Sequence, residues 1–284
     1  SNGIASRLSK MQADLEVSNM ASAGSVENAR RVNSGEIDFG ISYSGDTYLA
    51  RNGRLTNDTN KYPNVHAMAF LYGAPAHLIV LDGSGINEVA DLAGKRIAVG
   101  GAGSGAAAAA QRYFGAIGLW DKMNVEFIGY SKAAAAIGDG LIDAMWVFAG
   151  FPNSSVIQAA ASNKIKILST YEEGKKGGAF EQYPFYAPLT IPAGTYSGVD
   201  YDVKSFQDSA LWVANKDVAP EHVYNALANI YTKEGLSYMV KVKSTAKAMS
   251  VKGALTGIVT PVHAGAQKYW KEQGLTLTME QMGH

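Results

Sequence analysis

Four glycines crowd one serine at residues 100–105: Gly100, Gly101, Gly103 and Gly105 surround Ser104, and Ala106–Ala110 follows. These residue types suit anion binding through main-chain amides. Ser104 is placed to cap a helix that the alanines favour. The first turn of such a helix carries N–H groups without intrahelical acceptors and the positive end of the helix dipole, which attract a carboxylate or another anion. Glycine lets a ligand approach the backbone closely. Gly103, Ser104 and Gly105 are therefore the first candidate binding residues, for the acidic part of a ligand. The same string also fits enzymatic motifs. Gly101-Ala102-Gly103-Ser104-Gly105-Ala106 matches the G-x-G-x-x-A form of the dinucleotide fingerprint, which needs an acidic residue at the end of the next strand. That strand is predicted over 124–130 and ends on Gly129-Tyr130, with Glu126 in its middle. No Gly-Lys-Ser/Thr follows the glycines, and G-x-S-x-G occurs nowhere, so a P-loop and a nucleophile elbow are excluded.

Other candidates sit at similar places. Gly24 and Ser25 open a second predicted helix, 25–34, with Ser25 as N-cap and Asn28 three positions on. Tyr43 and Ser44 follow the end of one predicted strand, and Phe148 and Gly150 follow another. Tyr72 lies in a strand; Tyr183 and Tyr186 lie in a Tyr- and Pro-rich extended segment and offer hydroxyls to a carboxylate. Trp146 reads as core. The five histidines, at 66, 77, 222, 263 and 284, lack metal-ligand spacing, and the acidic residues fall on different elements without a general acid–base dyad. No catalytic residue, metal site or cofactor is expected. Between Ala21 and Asp46 the only cations are Arg30 and Arg31, on a predicted helix, and residues 100–110 contain none. A bound anion is thus expected to meet helix-start amides, Ser25, Ser44, Ser104 and tyrosine hydroxyls.

Composition narrows the class. The 284 residues hold 25 Lys+Arg and 25 Asp+Glu, a net charge of zero, which argues against nucleic acid as partner. Apolar residues make up 47%, enough for a substantial core in one or two domains. No run of 18 apolar residues occurs, as a membrane span would need. Zero cysteines exclude disulfides and thiolate metal sites and fit a periplasmic protein. No signal peptide is visible.

The elements that must position these residues alternate. Helix 4–12, strand 14–18, helix 25–34, strand 37–41, a polar loop 42–46, helix 46–52 and strands 65–72 and 76–81 come first. Turn residues at Asp82–Gly85 suggest a domain crossing. A second strand–helix series runs to about residue 200, and mostly helix follows a strand at 205–215. The pattern predicts an α/β protein with parallel sheets in two lobes, 1–82 with 201–284 and 83–200, and a ligand cleft between them at the carboxyl ends of the strands.

Several strings together resemble one family. Ser25-Val26-Glu27-Asn28 followed by Ser34-Gly35-Glu36-Ile37-Asp38-Phe39-Gly40 is similar to the GSVENxRxxxxGExDxG pattern of TAXI proteins. These are solute receptors of tripartite ATP-independent periplasmic (TRAP) transporters. Leu71-Tyr72, His77-Leu78-Ile79-Val80, Asp91-Leu92-Ala93-Gly94-Lys95-Arg96, Gly103-Ser104-Gly105, Ala149-Gly150-Phe151-Pro152 and Tyr183-Pro184-Phe185-Tyr186 continue the resemblance in order. It implies a two-lobed class II periplasmic binding fold and a small acidic ligand, of the glutamate, glutamine or 2-oxoglutarate class. It favours Tyr186 over Tyr183 as a contact. Tyr43 stands where the family often has Gln, and Ala106 where Thr often follows Gly-Ser-Gly. The family also carries a strand and a polar loop ahead of the first helix, so such residues are expected upstream of Ser1. The resulting expectation is a periplasmic, monomeric, non-enzymatic receptor that delivers its solute to membrane subunits by lobe closure. A nucleotide-dependent enzyme on a doubly wound scaffold and a periplasmic sensory module are the alternatives.

Overall fold

Apolar residues that recur every three to four positions specify helices, and continuous apolar runs specify buried strands. The computed structural model keeps that division; it describes residues 2–11, 17–22, 24–55 and 58–283. Residues 14–16 of the strand expected at 14–18 lie outside the described residues.

The chain forms two compact units: residues through Tyr72 together with those from Ser209 onward, and Gly73–Asp208. The first unit begins with α1 (Asn2–Met11), which buries Ile4 and Leu8. It continues with α2 (Ser25–Ser34), β1 (Phe39–Tyr43) and α3 (Ser44–Arg51). No loop separates β1 from α3, so the polar loop expected at 42–46 is instead the end of a strand and the first turn of a helix. Next, β2 (Val65–Leu81) is one strand of 17 residues where two, 65–72 and 76–81, were expected. The Gln207 side-chain amide lies across Gly73, its Oε1 1.5 Å from where a Cβ would be. The unit boundary falls inside β2, at 72/73, and again inside the later strand Val203–Asn215, at 208/209. The turn at 82–85 ends a strand without ending a unit.

The second unit follows with β3 (Arg96–Ala98), α4 (Gly105–Ala116), β4 (Asn124–Glu126), α5 (Tyr130–Gly138), β5 (Ala144–Phe148), α6 (Ser154–Ser162), β6 (Ile165–Leu168), α7 (Tyr171–Lys176), α8 (Ala179–Gln182) and β7 (Ala187–Ile191). Its strands pair in the order β4-β3-β5-β2-β6. β3 is parallel to both β4 and β5, and β2 is antiparallel to both β5 and β6. The expectation of parallel pairing holds within β4-β3-β5, whose strands alternate with α4 and α5, and fails at β2, which precedes that strand–helix series. One face of β5 carries Met145 and Val147 into an aliphatic core with Ile79, Ile137, Val156 and Ile167. The other carries Trp146 and Phe148, which stack with planes 3° apart. Tyr113 of α4 stacks on Trp146 at 5.5 Å.

Finally β8 (Val203–Asn215) pairs antiparallel with β7 in the second unit and with β1 in the first. It leads to α9 (Pro220–Ile230), α10 (Lys233–Val242), α11 (Ala264–Glu272) and α12 (Met279–Met282). Trp270 Nε1 donates to Met68 O at 2.7 Å, and Tyr231 Oη donates to Phe70 O at 2.5 Å, fastening the returning helices to β2.

Candidate functional site

The glycine string of the second unit folds as strand, turn and helix, as its sequence predicts. Ser104 N donates to Gly101 O at 3.1 Å, closing the turn. Gly103 has φ +74°, a left-handed conformation that a side chain strains, and nothing lies within 4 Å of where its Cβ would be. Gly100 has a packing role as well: its Cβ would sit 3.1 Å from both Ala106 Cβ and Ser104 Oγ. Ser104 is the N-cap of α4, and its Oγ accepts from Ala107 N at 3.2 Å. Ala108 N bonds Ser104 O, so Gly105 N and Ala106 N lead the helix as its outermost amides. The Ser104 oxygen serves the helix, and its hydrogen remains to be given. Gly103 is exposed, and Ser104 and Gly105 are half-buried.

The next strand differs from expectation. β4 stops at Glu126 because Ile128 N turns back to Glu126 O and Gly129 caps α5. Glu126 therefore ends the strand after the glycines, where a dinucleotide fingerprint has its acidic residue.

The start of α2 in the first unit is built otherwise. Its N-cap is Gly24, not Ser25, and no side chain caps it. Ser25 Oγ accepts from Tyr43 N at 2.8 Å and lies 3.0 Å from Ser42 Oγ. Thr47 Oγ1 donates to Ser42 Oγ at 3.1 Å or to Tyr43 O at 3.0 Å. Asn28 turns its amide to Ile41 O at 2.8 Å instead of completing a capping box. The hydroxyls thus join α2, β1 and α3. Ser44 is fully buried and donates to Gly257 O at 2.5 Å. A strand running straight into a helix puts Ser44 inside, so it is not the loop donor that the sequence suggested. Tyr43 is half-buried at the same junction. Tyr72 is also half-buried; burial raises its hydroxyl pKa, and Lys243 Nζ sits 5.7 Å above its ring.

Two further candidates diverge. Phe148 is a core residue, 2% exposed, with its N–H and C=O both bonded to Tyr130 Oη at 3.1 Å. Gly150 is half-buried in the bend before α6. Tyr186 is 6% exposed, with its ring 4.8 Å from Phe206 and 6.1 Å from Phe148. Its hydroxyl oxygen accepts from Arg112 Nε at 3.0 Å. Sequence reasoning missed Arg112; its signal was the seven-residue spacing from Gly105, which puts both on one helix face. It also left His77 without partners. His77 is fully buried, and its Nδ1 faces Pro75 O at 3.1 Å and Val147 O at 3.3 Å. Tyr196 Oη donates to Nε2 at 3.0 Å and accepts from Asn153 N at 3.0 Å. Burial lowers the His77 pKa to about 4, outweighing the backbone acceptors that raise it, so the ring is neutral and structural.

Comparison with known proteins extends the picture. A model described as the NMT1-like family matches residues 1–274. A TctC solute-binding protein from Polaromonas is similar at 18% identity with TM-score 0.53, over 96% of this chain and 92% of that one. MatC from Rhodopseudomonas palustris, solved with bound malate, is similar at 15% identity with TM-score 0.51, over 95% of this chain and 90% of that one. At such identities the likeness is one of fold: the mixed α/β, two-unit fold of periplasmic binding proteins. Among the described residues no helix is long and apolar enough to cross a membrane.

Proposed function

Because the chain belongs to the NMT1-like family, we propose that it is a periplasmic solute receptor that captures a small organic acid for a membrane transporter and performs no chemistry. The family match over residues 1–274, which takes in both compact units, carries the reading. The glycine turn supports the acid. Gly103, Ser104 and Gly105 present a helix start to solvent, and Tyr186 adds a hydroxyl on the same unit. The first unit offers Gly24, Tyr43 and Tyr72, while its Ser25 hydroxyl is taken by Tyr43 N and Ser42. Ser44 and Phe148 drop out of the donor set because the fold uses them. Gly150 remains a backbone candidate. The resemblance to TAXI receptors favours a ligand of the glutamate, glutamine or 2-oxoglutarate class and TRAP membrane subunits as partner. The malate bound to the similar MatC structure fits the same ligand chemistry. Micromolar binding needs about 8 kcal/mol, and neutral hydrogen bonds contribute about 0.5–1.5 kcal/mol each, so several donors must converge on the acid.

A second reading keeps the nucleotide, because Glu126 ends β4 after a G-x-G-x-x-A string. Calorimetric titration with glutamate, glutamine, 2-oxoglutarate, malate, NAD and ATP separates the two. Saturable binding of an acid, with heat from neither nucleotide, is the expected result. Binding of NAD or ATP and of no acid overturns the receptor reading.

A further inference from the structure

A helix cap must accept a hydrogen bond from the first turn, and serine, threonine and asparagine do so without titrating. In the first unit α11 is capped by a histidine instead. Gly265 N donates to His263 Nδ1 at 3.2 Å. An Nδ1 that accepts is unprotonated, so the neutral ring carries its hydrogen on Nε2. The residue is 1% exposed, and Nε2 has no hydrogen-bond partner among the described residues. The ring thus keeps its cap bond and leaves a buried N–H unpaired, which is costly. His263 also fastens the helix start to β2. Its main-chain N donates to Ala67 O at 2.8 Å, and Ala67 N donates to Pro261 O at 2.9 Å, so residues 261–263 bridge to the strand just ahead of the helix.

The surroundings disfavour a charged ring. His66 of β2 lies edge-on to His263, with centroids 6.4 Å apart. Burial, with the charges of Arg51, His263 and Lys216, lowers the His66 pKa to about 4. Burial lowers that of His263 too, outweighing the carbonyls of Val218 and Lys216, which favour the charged form. None of the charges that shift either ring is a carboxylate. On the neighbouring elements Asp217 pairs with Lys216 at 2.8 Å, and Glu221 and His222 of α9 and Glu280 of α12 are exposed. On α11 itself Lys268, Lys271 and Glu272 are exposed, and Glu272 accepts from Tyr224 Oη at 2.6 Å. Protonation would put a hydrogen on Nδ1, turn the acceptor of Gly265 N into a donor and set a positive charge at the positive end of the α11 dipole.

We propose that His263 is an acid-released latch: neutral, it caps α11 and holds the helix start to β2; protonated, it lets the first turn of α11 and the 261–263 bridge open ahead of the rest of the chain. Above pH 6.5 the ring is neutral in both forms and the latch is complete. As pH falls below 6.5 the open form takes up a proton that the closed form refuses, so closing weakens by up to about tenfold per pH unit.

The test uses the full chain. Side-chain NMR of protein carrying 15N-histidine reads the tautomer at pH 7, where His263 is expected as Nε2–H; an Nδ1–H ring cannot accept from Gly265 and overturns the proposal in the parent itself. Hydrogen exchange by mass spectrometry then follows the amides of residues 265–268 from pH 7 to 4.5, divided by the intrinsic rate at each pH, in the parent, His263→Asn and His66→Phe. Protection in the parent should fall about tenfold or more below pH 6.5. His263→Asn caps without titrating, and its protection should fall no more than about threefold. His66→Phe keeps the ring contact and the capping histidine and should keep the parent's fall. Equal falls in the parent and His263→Asn would assign the acid sensitivity to other groups, and a flat parent profile would make His263 a plain cap; either overturns the proposal. Should His263→Asn not fold, a flat profile in His66→Phe would move the switch to His66 and overturn it as well. No ligand enters the readout, so the receptor reading stands or falls separately.

Discussion

Two Gly-Ser pairs open two helices in this chain, and the fold uses them in opposite ways. At Gly103-Ser104 the serine is the N-cap and its oxygen serves its own helix, while the glycine turn faces open space. At Gly24-Ser25 the glycine is the N-cap, and the serine oxygen holds the main chain of Tyr43, at the end of β1. The difference comes from the neighbouring strand–helix junctions. In the first unit β1 runs into α3 with no linker, so buried amides and hydroxyls at that junction need partners, and Ser25, Ser42, Ser44 and Thr47 supply them. In the second unit the turn after β3 satisfies itself with a single Ser104 N–H···O=C Gly101 bond. Structural polar groups there are kept elsewhere, in the His77–Tyr196–Asn153 chain. The first unit therefore merges fold and candidate site, and the second separates them.

Separation can be tested hardest at His77. Its folded pKa lies at about 4, below the usual 6.5 of an unfolded histidine. Above pH 6.5 the ring is neutral in both states, so its contribution to stability is complete. As pH falls from 6.5 to 4 the unfolded chain takes up a proton that the folded one refuses. Stability then drops by about 1.4 kcal/mol per pH unit from this residue, roughly 3 kcal/mol in all. Urea unfolding of the parent and of His77→Gln at pH 7 and pH 4.5 reads this out: the acid-dependent loss should shrink in the variant. Ligand affinity at pH 7 should stay within a few-fold of the parent. A large affinity loss in a well-folded His77→Gln would break the separation.

Merging predicts the next effect. Ser25→Ala removes the acceptor for Tyr43 N and the partner of Ser42, and should cost about 1–3 kcal/mol, the penalty of leaving a part-buried amide unpaired. It should lower ligand affinity as well, through the junction it loosens. Equilibrium denaturation shows the first loss and calorimetry the second. A variant as stable as the parent would mean that water or a neighbour replaces Ser25 at no cost.

Legibility in the sequence divides along the same line. Local signals fixed extents better than caps: α2 runs over 25–34 and stops at Gly35, and Ser104 caps α4, but the cap of α2 is Gly24 and not Ser25. Non-local requirements were not visible. Residues 65–72 and 76–81 read as two strands because nothing in the string 65–81 announces that one continuous strand will pair along most of its length with partners far along the chain. Ser42–Asp46 read as a loop because polarity alone does not separate a solvated turn from a buried hydroxyl network. Glu126 read as mid-strand because β4 ends on a turn set by pairing with β3, not by its own composition. Arg112 needed the 183–186 segment folded against α4, over 70 residues away in sequence.

Gly103→Val sharpens the comparison at the open turn. The site has room, since nothing lies within 4 Å, so a clash is not the issue; φ +74° is. A β-branched residue there should cost about 1–3 kcal/mol of strain and displace the amides of Gly105 and Ala106 from their aim. Affinity for the best acid should fall about tenfold or more. Gly24→Val imposes comparable strain at φ 137° and provides the counterpart in the first unit. Unchanged acid binding in a folded Gly103→Val would show that the turn does not touch the ligand.

Ser104 carries the smallest and most diagnostic effect. Its oxygen is committed to Ala107 N at 3.2 Å, so a ligand meets only its hydrogen, beside amides that any substitution at 104 leaves in place. Ser104→Ala should therefore cost about 1 kcal/mol of stability for the lost cap. Its effect on acid affinity should be about threefold, a neutral hydrogen bond at the low end of its range. Ser104→Gly divides the two roles, because glycine replaces a serine cap at a cost of only about a few tenths of a kcal/mol while removing the same hydroxyl. Equal affinity losses in the two variants, with stability lowered mainly in the alanine one, are the expected pattern. Affinity that instead follows stability would make the cap, by holding the first turn in shape, the serine's whole contribution. A hundredfold loss in both would make the hydroxyl the principal contact and demote the amides, and with them the contrast between the two Gly-Ser pairs.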